Sequence, residues 1–414
     1  MRVAIVGAGI GGLTAALSLH AAGCRDVVVI EATREIRDVG VGINLPPHAV
    51  RELTELGLGD LLARTGILTK ELAYYDPAGR LIWAEPRGVD AGYRWPQYSI
   101  HRGRLQQLLV EAVRARLGAS SVITGQRVTG VDTASDGKAT VKVTAIDQAN
   151  DRTVLHEADV VIAADGIRSV VRNSLYGKTI PLASNGWVMY RGTAKSTPFL
   201  TGHSMVIIGD ETQRIVVYPI AEGVLNWLLV RPKDSESQQS ELGNWNARME
   251  PSAIARFAEG YRFDWLDVHQ LVASASEAYE YPMADIDPLP QWVFGRCALL
   301  GDAAHAMYPF GSNGASQAIL DARVLAYQLA TASDIDVALS AYEADRRPIT
   351  SEVQLANRRQ AGDVMARVSA LARRGAHNDA ATELKDVERR YKQLAGFDVD
   401  ALNNRKSWSV SAAS

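Results

Sequence analysis

Hydrophobic and polar positions follow two different periods along the chain. Residues 3–6 are an uninterrupted apolar run, as a strand buried on both faces requires. From 11 to 22 the inward candidates Leu13, Ala16, Leu17 and His20 recur every three to four residues, which predicts a helix. Residues 27–30 return to an apolar run. Strand, helix and strand in this order predict a parallel pair with a right-handed crossover. Residues 47–56 and 105–117 read as amphipathic helices. Residues 122–159 alternate in short runs with turn signals, Ser135-Asp136-Gly137 among them, and predict a β meander. Residues 160–163 are a further buried strand.

From 186 to 232 the texture changes. Residues 187–193, 204–208, 215–219 and 225–231 have the pattern of strands in an antiparallel sheet, rich in Trp, Tyr and Met. The polar stretch 234–246 reads as a mobile loop. Residues 298–300 restore a buried strand, a helix follows from about 314 to 330, and the charged tail beyond 338 is mostly helical. The expected architecture is α/β: a discontinuous Rossmann-like nucleotide-binding domain (1–72, 97–180 and 284–340) interleaved with a mostly antiparallel β-sheet substrate domain (73–96 and 181–283). A C-terminal helical region, 341–414, completes it.

Composition narrows the function. Of 414 residues, 47% are hydrophobic and 22% charged, the balance of a globular protein rather than a disordered one. The formal net charge of −3 leaves no basic surplus for phosphates, so nucleic acid is not expected as a partner. The two cysteines, Cys24 and Cys297, cannot build a disulfide framework or a cysteine-rich metal site. No Ser-His-Asp order or metal-ligand spacing stands out. Glycines interrupt the first apolar stretch, unlike a secretion signal, and no apolar run of about 18 residues could span a bilayer. A cytoplasmic protein without a membrane partner is expected.

Gly7-Ala8-Gly9-Ile10-Gly11-Gly12 matches G-x-G-x-x-G after a strand and at the start of a helix. The first glycine permits the turn, the second lets backbone approach a pyrophosphate, and the third lets helix and strand pack closely. The helix start offers free N–H groups to the phosphates. Glu31, followed by Ala32, ends the second strand, where a carboxylate meets ribose hydroxyls. The motif serves NAD and FAD equally well. Two later segments also follow buried strands: Ala164-Asp165-Gly166-Ile167-Arg168-Ser169, and Gly301-Asp302-Ala303-Ala304-His305 with Pro309-Phe310-Gly311-Ser312-Asn313-Gly314 after it. Singly, either reads as a helix cap.

Together, in this order, the three segments resemble the FAD-dependent aromatic hydroxylases, single-component flavoprotein monooxygenases of the p-hydroxybenzoate and salicylate hydroxylase type. The resemblance runs from Met1 to about Arg359. It includes 40–43, Ser99-Ile100-His101-Arg102 and 342–348. Segments 40–44, 85–91, 96–102 and 307–321 resemble phenazine-modifying members of that family. The resemblance implies an FAD domain of the glutathione-reductase type, NAD(P)H as a transient co-substrate, and oxygen transfer through a flavin C4a-hydroperoxide to a small aromatic. It implies that Gly7, Gly9, Gly11 and Gly12 lie along the FAD pyrophosphate, with Glu31 and Ala32 at the adenosine ribose. It places Gly42 beside the cofactor, Arg102 at the phosphate or ribityl region, Val128 near the adenine and Asp302 on the ribityl chain. Asp165 and Arg168 belong to a motif shared between FAD and NAD(P)H contact. Gly311, Asn313, Gly314 and Ala315 fall at the flavin ring, where a helix dipole would favour the reduced, anionic form. Pro309 and Gly314 present backbone to the reacting side.

Candidate substrate contacts are Tyr190, Arg191, Met205, Tyr218, Trp227, Met307, Tyr308 and Phe310, since aromatic and Met side chains suit a flat ring. For Met205 and Trp227, sheet core is an equal expectation. His305 is a further substrate-side candidate and, with His48, a weak candidate base; the general base is unassigned. The expected activity is hydroxylation of an aromatic or heteroaromatic, with a phenazine carboxylate that loses carbon dioxide as one option. Salicylate-like or hydroxybenzoate-like hydroxylation is an alternative. So, from another class, is a redox sensor or partner protein that binds FAD without turnover. A flavin halogenase would carry G-W-x-W-x-I-P, which is missing. Assembly as a homodimer stays open.

Overall fold

The computed structural model describes residues 1–38, 40–133, 140–233, 247–359 and 364–410. The turn at Ser135-Asp136-Gly137 and the polar stretch 234–246 lie outside the described residues. The first apolar run becomes the strand Arg2–Val6, with Val3 to Val6 at most 3% exposed. It pairs in parallel with Asp26–Ile30 on one side and Val160–Ala163 on the other. Among the described residues these belong to a six-stranded sheet. Its order is Val293–Phe294, Cys297–Leu299, Val160–Ala163, Arg2–Val6, Asp26–Ile30 and Val122–Ile123. The crossover is the helix Ile10–Ala21. Its small residues let it lie close to its neighbours: a Cβ on Gly11 would stand 2.7 Å from Leu300 Cδ2 and 3.1 Å from Ala318 Cβ. Its buried hydroxyls, Thr14 and Ser18, donate back to the carbonyls of Ile10 and Thr14 at 2.7 Å, so neither is left unpaired.

The expected meander is the antiparallel sheet Gln126–Asp132, Val141–Asp147 and Arg152–Ala158. A second large sheet has eight strands among the described residues. Their order is Ala247–Met249, Glu277–Asp285, Ala183–Lys195, Val224–Pro232, Arg214–Ala221, Ser204–Gly209, Glu71–Tyr75 and Leu81–Pro86. Side chains alternate across it. Ile215, Val217, Trp227 and Leu229 pack into a core of their own on one face. Arg214, Val216, Tyr218 and Leu228 point the other way, into a cavity.

Between the two lobes a small antiparallel sheet, Gly42–Leu45, Tyr98–His101 and Ile67–Leu68, carries the chain across. The helix Gly314–Thr331 packs on Ile10–Ala21. The tail forms the helices Ile335–Arg359, Met365–Arg373, His377–Leu394 and Val399–Asn404. Among the described residues no helix is long and apolar enough to cross a membrane.

The glycine turn is set by contact distances. Gly7 has φ +100°, and a Cβ there would lie 2.4 Å from the Ala164 carbonyl oxygen. A Cβ on Gly12 would lie 2.1 Å from the Gly7 carbonyl oxygen, far inside van der Waals contact. Gly12→Ala is therefore expected to force the helix off the sheet and cost about 1–3 kcal/mol, the usual scale of overpacking. A melting temperature equal to wild type would contradict this account of the turn.

Candidate active site

A cavity of about 460 Å³ lies between the parallel-sheet lobe and the inner face of the eight-stranded sheet. At one end stands the start of helix Ile10–Ala21. Gly9 caps it without a side-chain hydrogen bond, and no acid occupies its first turn. The helix N–H groups and positive dipole end are thus offered to an anion. A Cβ on Gly9 would meet nothing within 4 Å, so the backbone is open on this side. Gly9 and Gly11 line the cavity, whereas Gly7 and Gly12 shape the turn behind it. Glu31 accepts the Ala8 N–H at 2.8 Å and the Thr33 N–H at 2.8 Å, joining the glycine loop to the end of the second strand. The Ala32 carbonyl accepts from Gln148 Nε2 at 2.9 Å. Val128 is 7% exposed, its side chain part of the core.

Exposed Arg102 starts the helix Arg102–Leu117 and lines the cavity, as does exposed Asp302 at the head of Asp302–His305. Asp165 is half-buried beside the cavity. It accepts from the Ser169 hydroxyl at 2.5 Å and the Val171 N–H at 3.1 Å, and burial raises its pKa. Its neighbours Ala164 and Gly166 form the wall, and Arg168 is exposed.

Gly42 is held from three sides. Its N–H donates to Asn226 Oδ1 at 2.6 Å, and its carbonyl accepts from Arg191 Nη2 at 2.8 Å and from the Tyr218 hydroxyl at 2.9 Å. Burial lowers the Arg191 pKa and raises that of Tyr218 to about 12, so the phenol keeps its proton as a donor.

The loop that follows Asp302 brings Met307, Pro309, Phe310, Gly311 and Asn313 to the cavity, with Gly314 and Ala315 at the head of the helix Gly314–Thr331. No acid and no side-chain cap occupies that helix start either. The Asn313 side chain turns away from the cavity into the core. Its Oδ1 lies 3.1 Å from His48 Nε2, and its Nδ2 donates to the Tyr391 hydroxyl at 2.9 Å.

Several expected contacts are not in the cavity lining. His305 is fully buried and donates from Nε2 to Asp321 at 2.5 Å. Asp321 also accepts from Arg346 Nε at 2.8 Å and from the Gly301 N–H at 3.1 Å. His305 thus supports the loop from beneath. His48 stacks on Phe397 with ring centroids 4.4 Å apart; burial lowers its pKa to about 3, so it is neutral at physiological pH. Tyr190 and Trp227 belong to the far core of the sheet, because their neighbours Met189, Arg191 and Leu228 take the cavity face. Tyr308 packs with Met189, Val230 and Met283 at the edge of the site. Met205 and Tyr218 do line it.

The tail supplies residues that no motif announces. Leu384, Val387, Glu388 and Tyr391 share one face of His377–Leu394 and close the cavity. Glu388 accepts from the Tyr74 hydroxyl at 3.0 Å and from Arg87 at 3.2 Å. Four arginines (87, 102, 191 and 214) line the cavity against two acids, Asp302 and Glu388, which favours an anionic occupant. Among the described residues no group of three His, Cys, Asp or Glu side chains is placed to hold a metal.

Two uncapped helix starts at one cavity, the first with open backbone at Gly9, fit a group that carries both a diphosphate and an electron-rich ring. The chain belongs to the FAD binding domain family, which it matches over residues 1–356, and it is an FAD-dependent aromatic monooxygenase, an oxidoreductase. It is 45% identical over 365 residues to phenazine 1,6-dicarboxylic acid hydroxylase PhzS of Lysobacter antibioticus, covering 86% of this chain and 89% of that one. To 3-hydroxybenzoate 6-hydroxylase 1 of Aquipseudomonas alcaligenes it is 33% identical, with 86% and 88% covered. Among solved structures it is similar to HpxO of Klebsiella pneumoniae complexed with FAD and uric acid, with a TM-score of 0.77, 25% identity, and 95% and 96% covered.

Gly9→Val would put a branched side chain where the backbone is now open, its Cβ meeting nothing within 4 Å in the folded chain. The variant stripped of flavin is expected to melt with the apo wild type, and the variant as purified to carry a flavin content reduced by about tenfold or more, read from absorbance, on the scale of one lost charge-assisted contact. Full flavin occupancy would show that the loop serves another purpose.

Asp321 gives a second test. Burial raises its pKa, but His305 and Arg346 outweigh burial and hold it below the ordinary carboxylate value. A depressed folded pKa stabilises the protein above the unfolded value of about 3.9, and this contribution is lost as pH falls further. Asp321→Asn should cost about 3–5 kcal/mol at pH 7. In urea titrations the gap to wild type should narrow below about pH 4. A pH-independent gap would refute the assignment.

Proposed function

We propose that this enzyme hydroxylates a flat aromatic or heteroaromatic acid, with a phenazine carboxylate as the leading substrate class and NAD(P)H and O2 as co-substrates. The observation that carries the substrate class is the cavity wall. Met189, Met205, Met283 and Leu228 form an apolar face for a ring system, while the arginine excess suits a carboxylate. Similarity to the Lysobacter phenazine hydroxylase supports the tricyclic option.

In this reading Gly9, Gly11 and the helix start behind them hold the FAD diphosphate, Glu31 the adenosine ribose and Asp302 the ribityl chain. The backbone of Asn313, Gly314 and Ala315 at the start of Gly314–Thr331 would hold the flavin ring, and Pro309 would line the reacting side. Bound FAD supplies electron uptake from the nicotinamide and activation of oxygen. The chain contributes position and dryness. Arg191 and Tyr218 fix the Gly42 strand, the methionines exclude water from the ring, and the arginines orient the acid. His48 is neutral and His305 is engaged by Asp321, so neither is assigned as a base. Hydroxylation at the carboxyl-bearing carbon would release carbon dioxide. A hydroxybenzoate-type substrate is the second reading, favoured by similarity to the 3-hydroxybenzoate enzyme. Two free cysteines suit a cytoplasmic setting.

The test is NAD(P)H oxidation by the holoenzyme with phenazine carboxylates, salicylate and 3-hydroxybenzoate, products being identified by mass. Phenazine acids are expected to stimulate most. Replacing the carboxylate by a carboxamide should raise KM about tenfold, the scale of one charge-assisted hydrogen bond. Bound FAD with no response to any aromatic acid would leave a binding role without turnover.

A further inference from the structure

The tail helix His377–Leu394 lies beyond residue 356, where the family match ends, yet it reaches the loop 307–313 at the cavity. That loop is held by its carbonyl oxygens. Gln354 Nε2 donates to the Ala306 carbonyl at 3.1 Å, and Asn357 Nδ2 donates to the Tyr308 carbonyl at 2.9 Å, both from the helix Ile335–Arg359. The Tyr391 hydroxyl donates to the Phe310 carbonyl at 3.2 Å. The same oxygen accepts from Asn313 Nδ2 at 2.9 Å, so one phenol joins both ends of the turn Phe310–Ser312. Inside that turn Gly311 and Ser312 have φ of +70° and +54°. A left-handed serine is strained and persists only where its surroundings hold it. The backbone is also moulded to the Tyr391 ring: a Cβ on Gly311 would lie 2.2 Å from Cε1. Tyr391 is 4% exposed, and burial raises its pKa, which keeps the hydroxyl a donor.

We propose that Tyr391 is a positioning residue, through which the C-terminal helix sets the loop 308–313 against the flavin and keeps oxygen transfer coupled to nicotinamide oxidation. This rests on the FAD reading above for what the loop faces, but not for the loop's restraint. A phenol without its hydroxyl keeps the ring under Gly311 and loses both hydrogen bonds. The loop would then relax from its strained turn while the tail stays docked.

The experiment is Tyr391→Phe in the full-length chain, with Asn357→Ala, which frees the Tyr308 carbonyl, as a second variant. In the apo chain, chymotrypsin cleavage at Phe310 should accelerate about tenfold or more, the scale of two lost buried hydrogen bonds, with the melting temperature lowered by no more than a few degrees. In the FAD-loaded enzyme the share of NAD(P)H electrons leaving as hydrogen peroxide should rise severalfold, with kcat for product falling more than KM changes. Asn357→Ala should move both readouts in the same direction. Wild-type proteolysis and coupling in both variants would overturn the proposal. If the wild-type chain takes up no FAD, the functional reading and the coupling role fail together, and the proteolysis arm still decides whether Tyr391 restrains the loop.

Discussion

Asp321 carries its charge in a place that water does not reach, and three parts of the chain are arranged to meet it. The Gly301 N–H, the His305 ring and the Arg346 guanidinium all donate to one carboxylate. Each comes from a different element: the turn after the strand Cys297–Leu299, the short helix Asp302–His305, and the long helix Ile335–Arg359. Asp321 itself sits in Gly314–Thr331. A buried anion is tolerable only when its partners are in place, so these elements cannot shift independently without stranding a charge. The loop that joins them is the one that carries Pro309, Gly311 and Asn313 to the cavity. Its geometry follows from that knot and from the carbonyl ties around it.

The eight-stranded sheet solves a different problem. A sheet has two faces, and this one uses them for opposite purposes. Its outer face holds Trp227, Ile215 and Val217 in an ordinary apolar core. Its inner face mixes methionines with Arg191, Arg214 and Tyr218. Burying a guanidinium is costly without acceptors, and Arg191 meets this through the Gly42 carbonyl. That carbonyl also ties the eight-stranded sheet to the strand Gly42–Leu45, so the two lobes meet through backbone as well as side chains.

Much of this was legible from local pattern. The glycine loop, Glu31 and the motifs around Asp165 and Asp302 stand at the ends of buried strands, where short-range spacing determines position. The parallel sheet and the antiparallel lobe followed from runs of apolar residues. What pattern could not resolve was which face of a strand looks inward. Tyr190 and Trp227 were aromatic candidates, but period two hands the cavity to Met189, Arg191 and Leu228. His305 looked chemical because it follows Gly301-Asp302, and only the fold reveals Asp321 waiting 16 residues later. Leu384, Val387, Glu388 and Tyr391 were invisible for a further reason: nothing in a charged amphipathic tail says which element its apolar stripe will meet.

The cavity is lined by residues as early as Gly9 and as late as Phe397. A nascent chain emerging from the ribosome therefore shows its glycine loop first, and the opposite wall arrives only once the helix His377–Leu394 and Phe397 have been made. Capture of a prosthetic group in its finished surroundings has to wait for that helix, and a chain that stopped short of it would be a vessel with one side missing.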